Sequence, residues 1–154
     1  CGWVARDYVL PAIHAAANGR VVALCDRDPS GLGGLGTSDL SAVLRNPDVQ
    51  AVYVATPNDQ HRPVVAACAH AGKHVLCEKP MATNSADAAA MVDACAKAGV
   101  TLGIAYDQRF HAAHRHLRAA GRQPLPDGHG PVGLGHLEGG ELLARRLHGR
   151  ALRG

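Results

Sequence analysis

The chain has 154 residues, a formal net charge of +3 and 47% hydrophobic side chains, which allows one packed domain of ordinary size. Charged residues make up only 19%, which argues against a disordered chain, and no run of 18 apolar residues exists, which excludes a membrane-spanning helix. Residues 119–154 carry five arginines against three acidic side chains but no lysine or aromatic residue, so nucleic acid is not expected as a partner.

Along the chain, helical patterns alternate with short apolar runs. Strands are predicted at residues 21–25, 51–55, 74–77 and 100–105. Helices are predicted at about residues 6–9, 11–17, 39–44, 62–71, 85–98 and 108–120. Thr37 or Ser38 is expected to cap the third of these helices. The glycine-rich residues 30–36 lack the Lys-Ser/Thr pair of a P-loop, so they are not predicted to bind phosphate.

This alternation predicts an α/β fold, a Rossmann-like doubly wound parallel sheet with helices on both faces. Ligands of such sheets bind beyond the carboxyl ends of the strands. Polar clusters stand at the ends of the predicted strands: Asp26-Arg27, Thr56-Pro57-Asn58, Glu78-Lys79-Pro80 and Tyr106-Asp107-Gln108-Arg109. Their shared position indicates a binding site rather than separate solvated loops.

The first of these clusters suits a dinucleotide. Asp26 stands 24 residues after Gly2, and a carboxylate at about this distance from a glycine turn binds ribose hydroxyls and repels a 2′-phosphate, which favours NAD. Arg27 complicates this interpretation, because a guanidinium pairs with a 2′-phosphate, so NADP stays open as well. Gly2-Trp3-Val4-Ala5 is by itself a weak fingerprint, since the strand and first glycine that should precede it are not in the sequence.

Five cysteines, an odd number without a CxxC pair, argue against a disulfide framework and favour reduced thiols in a cytoplasmic protein. Four of them lie in apolar segments and are expected to be small buried hydrophobic residues: Cys25, Cys68, Cys77 and Cys95. His111 and His114 have helical spacing, but no cysteine or carboxylate stands nearby at ligand spacing. No metal site is therefore predicted.

Two longer motifs carry a specific resemblance. The stretch Ala55-Thr56-Pro57-Asn58-Asp59-Gln60-His61 is followed by Ala71-Gly72-Lys73-His74-Val75-Leu76-Cys77-Glu78-Lys79-Pro80. These residues and their spacing resemble the Gfo/Idh/MocA family of NAD(P)-dependent oxidoreductases, as does Tyr106-Asp107-Gln108-Arg109-Phe110 further on. The resemblance covers about residues 1–118.

The resemblance implies a bound NAD or NADP and a hydride transfer between nicotinamide and a sugar or polyol hydroxyl. The residues that it places around the cofactor are Gly2, Trp3, Val4, Ala5, Asp26, Arg27, Thr56, Pro57, Asn58, His61, Glu78, Lys79 and Pro80. It implies that Lys79 is the catalytic lysine, followed by Pro80 through a cis peptide, and that Arg109 acts at the substrate end. A lysine takes or returns a hydroxyl proton once burial or a cation lowers its pKa.

The sequence also departs from the family pattern. The central first strand is absent, and residues 31–36 replace a helix and a strand, which indicates an internal deletion. After about Arg118 the sequence becomes rich in Gly, Arg and Pro, where family members continue into an α+β substrate domain. We therefore expect an incomplete Rossmann domain at 1–118 and a disordered or frame-shifted tail at 119–154.

Two functional hypotheses follow. In the first, the chain is the cofactor-binding portion of an NAD(P)-dependent oxidoreductase acting on a sugar-like small molecule. In the second, it is a non-catalytic truncated fragment that binds nucleotide weakly or not at all. The substrate domain also joins subunits in the family, so a homo-oligomer is expected only where that domain is present. Whether this chain alone is an enzyme stays open at this point.

Overall fold

The computed structural model describes residues 1–120. The strands are β1 Leu24–Cys25, β2 Gly36–Thr37, β3 Ala51–Val54, β4 His74–Cys77 and β5 Leu102–Ile104. The α-helices are α1 Leu10–Ala15, α2 Leu40–Arg45, α3 His61–His70, α4 Ser85–Ala98 and α5 Ala112–Ala120. A π-helix precedes α1 at Ala5–Val9, and 3-10 turns lie at Gly33–Leu35, Asn58–Gln60 and Asp107–Phe110.

The main sheet consists of β3, β4 and β5 in that order, all parallel. Its strands are joined through α3 and α4, which pack against each other and against one face of the sheet. Val54 and Cys77 are register partners on that face and are almost fully buried. The alternation of strand and helix thus gives the predicted Rossmann-like parallel sheet.

The second sheet is a parallel pair of two-residue strands, in which Leu24 is opposite Gly36 and Cys25 opposite Thr37. The predicted strand 21–25 is therefore shorter than expected, since only its last two residues meet a partner. The partner comes from the glycine-rich stretch, where no strand was predicted. Glycine is required at position 36, because a Cβ there would lie 2.7 Å from the Leu32 Cβ.

Local signals set the ends of the longest helix, α4. The Asn84 side chain accepts a 2.8 Å hydrogen bond from the Asp87 N–H at its start, and Gly99 ends it with a φ of 69°. The predicted cap of α2 is wrong. The N-cap residue is Asp39, without a side-chain capping bond, and the Thr37 hydroxyl instead accepts from the Asp39 N–H at 3.0 Å.

The hydrophobic core contains Met91 and three thiols, those of Cys68, Cys77 and Cys95, all of them buried as predicted. Burial raises the pKa of Cys68 to about 11 and that of Cys77 to about 12. These thiols therefore stay protonated near neutral pH and act as small apolar side chains. Cys25 is only half-buried, which differs from the prediction.

The chain divides into two compact units, the first from Cys1 to Tyr106 and the second beginning at Asp107. In the described part of the second unit, 3-10 residues precede α5, so the helix predicted from 108 begins at Ala112. The predicted tail lies outside the described residues except for Ala119 and Ala120. Within residues 1–120, no helix combines the length and the apolar character that crossing a membrane requires.

Candidate functional site

A cleft of about 310 Å³ opens at the carboxyl ends of β3 and β4. Its lining residues come from three separate segments of the first unit: Gly2, Trp3, Val4, Ala5, Ala55, Thr56, Asn58, Glu78 and Lys79. The volume is within the range of small-molecule sites. Eight of these nine residues belong to the cofactor set implied by the sequence motifs; Ala55 is the additional one.

One wall of the cleft is the glycine turn at the start of a helix. The Arg6 N–H donates to the Gly2 carbonyl at 3.1 Å, and the helical residues continue from Ala5 through the π-helix into α1. A Cβ at Gly2 would meet no atom within 4 Å, so a ligand can approach the backbone here. Backbone N–H groups at a helix start favour a negatively charged group such as a pyrophosphate.

Asp26 follows β1, and its carboxylate lies against the backbone nitrogen of Cys1, directly before the glycine turn. The carboxylate also accepts from the Asp28 N–H at 3.1 Å. Asp26 and Arg27 do not line the cleft itself. Asp26 nevertheless lies close to the glycine turn, although 24 residues separate it from Gly2 in the sequence.

Glu78 forms the opposite wall and is held on both carboxylate oxygens. The Tyr53 hydroxyl donates to Oε1, and the Lys79 N–H donates to Oε2 at 3.0 Å. The Glu78 N–H in turn donates to the Val54 carbonyl at 2.9 Å. The carboxylate therefore has a fixed orientation at the end of β4.

Lys79 follows directly, with an exposed side chain in the same cleft. None of the salt bridges within residues 1–120 involves its ammonium group. The peptide bond between Lys79 and Pro80 is cis, as the family resemblance implies. Pro80 itself does not line the cleft, and neither does Pro57, whose carbonyl accepts from the Gln60 N–H at 2.8 Å.

His61 lies beneath the cleft instead of lining it, because its side chain is completely buried. Its Nε2 is 3.0 Å from the Thr56 carbonyl oxygen, and its Nδ1 is 3.0 Å from the Pro80 carbonyl and 3.3 Å from that of Met81. The ring thus connects the turn after β3 with the turn after β4. Carbonyl oxygens only accept, so a neutral ring with one N–H donates to one of the two turns.

Arg109 lies in the second unit, exposed in the 3-10 turn Asp107–Phe110. His111 and His114, for which no metal site was predicted, follow nearby. Their ring centroids are 5.5 Å apart. His114 Nδ1 lies 2.8 Å from the Gln108 carbonyl oxygen, which accounts for one of its ring nitrogens. Across the part of the chain that the structure describes, His, Cys, Asp and Glu form no group able to hold a metal ion.

A parallel sheet with a glycine turn and polar residues at its carboxyl end defines a dinucleotide-binding Rossmann domain. A family model confirms this class: the model described as "Oxidoreductase family, NAD-binding Rossmann fold" (GFO_IDH_MocA) matches residues 1–106. The chain belongs to this family.

Similar proteins include the 1,5-anhydro-D-fructose reductase of Ensifer adhaerens, 42% identical over 76% of this chain and 37% of that protein. The WlbA dehydrogenase of Bordetella pertussis, solved with NADH and UDP-GlcNAcA, is 33% identical with a TM-score of 0.72, over 78% and 37%. The 3-ketoreductase KijD10 of Actinomadura kijaniata, solved with NADP, is 29% identical with a TM-score of 0.72, over 77% and 40%. The chain thus spans about two fifths or less of these relatives.

Proposed function

We propose that the cleft binds a nicotinamide dinucleotide and that the chain is the cofactor-binding part of a sugar or polyol oxidoreductase. The observation that carries this proposal is the meeting of Gly2, Thr56, Asn58, Glu78 and Lys79 around one cleft. These residues come from three segments of the sequence, so no local structural requirement explains why they converge. The names of the relatives, which are sugar reductases and dehydrogenases, support the substrate class.

When bound, the nicotinamide ring supplies or accepts the hydride. Around it, the turn at Gly2 would hold the pyrophosphate, Asp26 the adenosine ribose and Glu78 the nicotinamide ribose. Thr56 and Asn58 would bound the cofactor between these ends. Lys79 would take the proton of the substrate hydroxyl on its Nζ during oxidation and return it during reduction.

The first test is a titration of the purified chain with NADH and with NADPH. Binding is measured by fluorescence and by calorimetry. We expect saturable binding, and we expect Gly2→Val to weaken it by at least about tenfold because the side chain occupies the pyrophosphate approach. Gly31→Val is the matched control, since Gly31 also has no atom within 4 Å of its Cβ position but lies outside the cleft. A chain that unfolds cooperatively yet binds neither dinucleotide would support the alternative, a non-catalytic fragment.

The choice between the two dinucleotides depends on Asp26 and Arg27. We expect Asp26→Ser to shift the ratio of the NADH and NADPH dissociation constants by about tenfold towards NADPH, because it removes the charge that repels a 2′-phosphate. Arg27, exposed beside it, then pairs with that phosphate. Asp28→Ser is the control, since this exposed carboxylate bonds locally to the Ser30 N–H at 3.1 Å. An unchanged ratio in Asp26→Ser would remove Asp26 from the ribose site.

Three further proposals rest on the sequence. The Rossmann domain extends over 1–118, and the protein acts in the cytoplasm, which the free thiols within residues 1–120 support. The protein forms a homo-oligomer only where a family-type substrate domain is present. It has no nucleic acid as a partner. Gel filtration and fractionation of the source cells test the oligomer and the location.

A further inference from the structure

Tyr53 lies outside the cleft but contacts one of its walls. In β3 it alternates with Val52 and Val54, so its side chain projects from the sheet face opposite to the core packed by α3 and α4. On that face its register partner is Leu76, which is 44% exposed. Because this face of the sheet is partly exposed, an apolar side chain would serve equally well at position 53. The group that distinguishes tyrosine here is its hydroxyl.

That hydroxyl donates to Oε1 of Glu78, a residue 25 positions further along the chain. The other carboxylate oxygen accepts from the Lys79 N–H at 3.0 Å. The carboxylate is thus held from two sides, once by a side chain of the neighbouring strand and once by the backbone. Rotation about the terminal bond of Glu78 would break both hydrogen bonds.

The two hydrogen bonds leave the carboxylate able to bind a ligand. Each oxygen of an ionised carboxylate accepts more than one hydrogen bond, so Glu78 retains acceptor positions for hydroxyl groups in the cleft.

We propose that Tyr53 is a positioning residue that fixes the Glu78 carboxylate for the nicotinamide end of the dinucleotide. This inference rests on the proposed function, because it needs a nicotinamide ribose in the cleft. In this role Tyr53 acts through Glu78, since its side chain does not line the cleft. The hydroxyl, and not the ring, carries the effect.

The test compares Tyr53→Phe with the wild-type chain for two ligands, NADH and ADP. We expect the variant to bind NADH about tenfold more weakly, because a hydrogen bond to a charged group is lost, and to bind ADP within about twofold of wild type. ADP lacks the nicotinamide ribose, so a general structural defect would weaken both ligands alike. Tyr8→Phe is the matched control, since the Tyr8 ring packs edge-on against Trp3 and is 65% exposed.

A double-mutant cycle with Glu78→Ala tests whether Tyr53 acts through this carboxylate. We expect Tyr53→Phe to cause no further loss of NADH affinity once Glu78 is alanine. Additive losses, or equal losses for NADH and ADP, would overturn the inference. A wild-type chain that binds neither nucleotide would overturn the proposed function as well, whereas normal NADH binding by Tyr53→Phe would overturn this inference alone.

Discussion

Replacement of His61 by leucine is expected to destabilise the chain by about 2–4 kcal/mol and to weaken dinucleotide binding by more than about tenfold. Leucine fills a similar volume but donates no hydrogen bond. The carbonyls of Thr56, Pro80 and Met81 would then lose the ring nitrogens that now lie within 3.0 to 3.3 Å of them. A neutral ring donates to only one of the two turns, so leucine would remove a hydrogen bond from one wall of the cleft and a packed ring nitrogen from the other.

A control must separate this effect from simple destabilisation. Met91→Ala serves the purpose, because Met91 is as fully buried as His61 but belongs to α4, outside the cleft. Truncation of a buried methionine costs about 2–5 kcal/mol. Both variants should therefore show a similar decrease in the free energy of unfolding, measured in urea. NADH titrations are then made where each variant is folded. If Met91→Ala loses as much affinity as His61→Leu, the ring stabilises the fold without positioning the cleft.

The sequence predicted best what local signals determine. The bounds of α4 and β4 agree with the prediction, because Asn84 and Gly99 terminate the helix and the strand His74–Cys77 is followed directly by the polar residues Glu78 and Lys79. The second sheet, formed by β1 and β2, was predicted poorly. How much of 21–25 becomes strand depends on a partner in the glycine-rich stretch, and no local pattern identifies Gly36–Thr37 as that partner.

The candidate site shows the same division between local and distant information. Motif resemblance identified the residues whose positions follow from a strand end, such as Thr56 and Glu78. It did not identify Tyr53, which in sequence is one more apolar member of a strand and meets Glu78 only through strand pairing. It placed His61 in the cofactor cleft, because a sequence pattern contains no measure of burial. A polar-tipped residue at the non-core position of a buried strand was the one available signal for Tyr53.

Lys79→Ala is expected to lower the rate of hydride transfer by about 10²- to 10⁴-fold, the usual contribution of a general acid–base group. The assay follows NAD(P)H absorbance with a panel of aldoses and polyols. Wild type and variant are both expressed in the source organism and purified from it. The dissociation constant for the dinucleotide should change by only a few fold, because Gly2, Asn58 and Glu78 remain in the cleft. The loss should therefore appear in kcat and not in cofactor binding.

Two further variants identify the cause of that loss. Lys79→Arg keeps the positive charge, but a guanidinium does not release its proton at accessible pH, so it should be as inactive as the alanine variant. Lys97→Ala removes a lysine from the exposed side of α4, away from the cleft, and should retain full kcat. Substantial activity in Lys79→Arg would mean that the charge of residue 79 matters and its proton does not. In that case the hydroxyl proton would have to leave through another group, and Lys79 would serve only to hold the substrate oxygen.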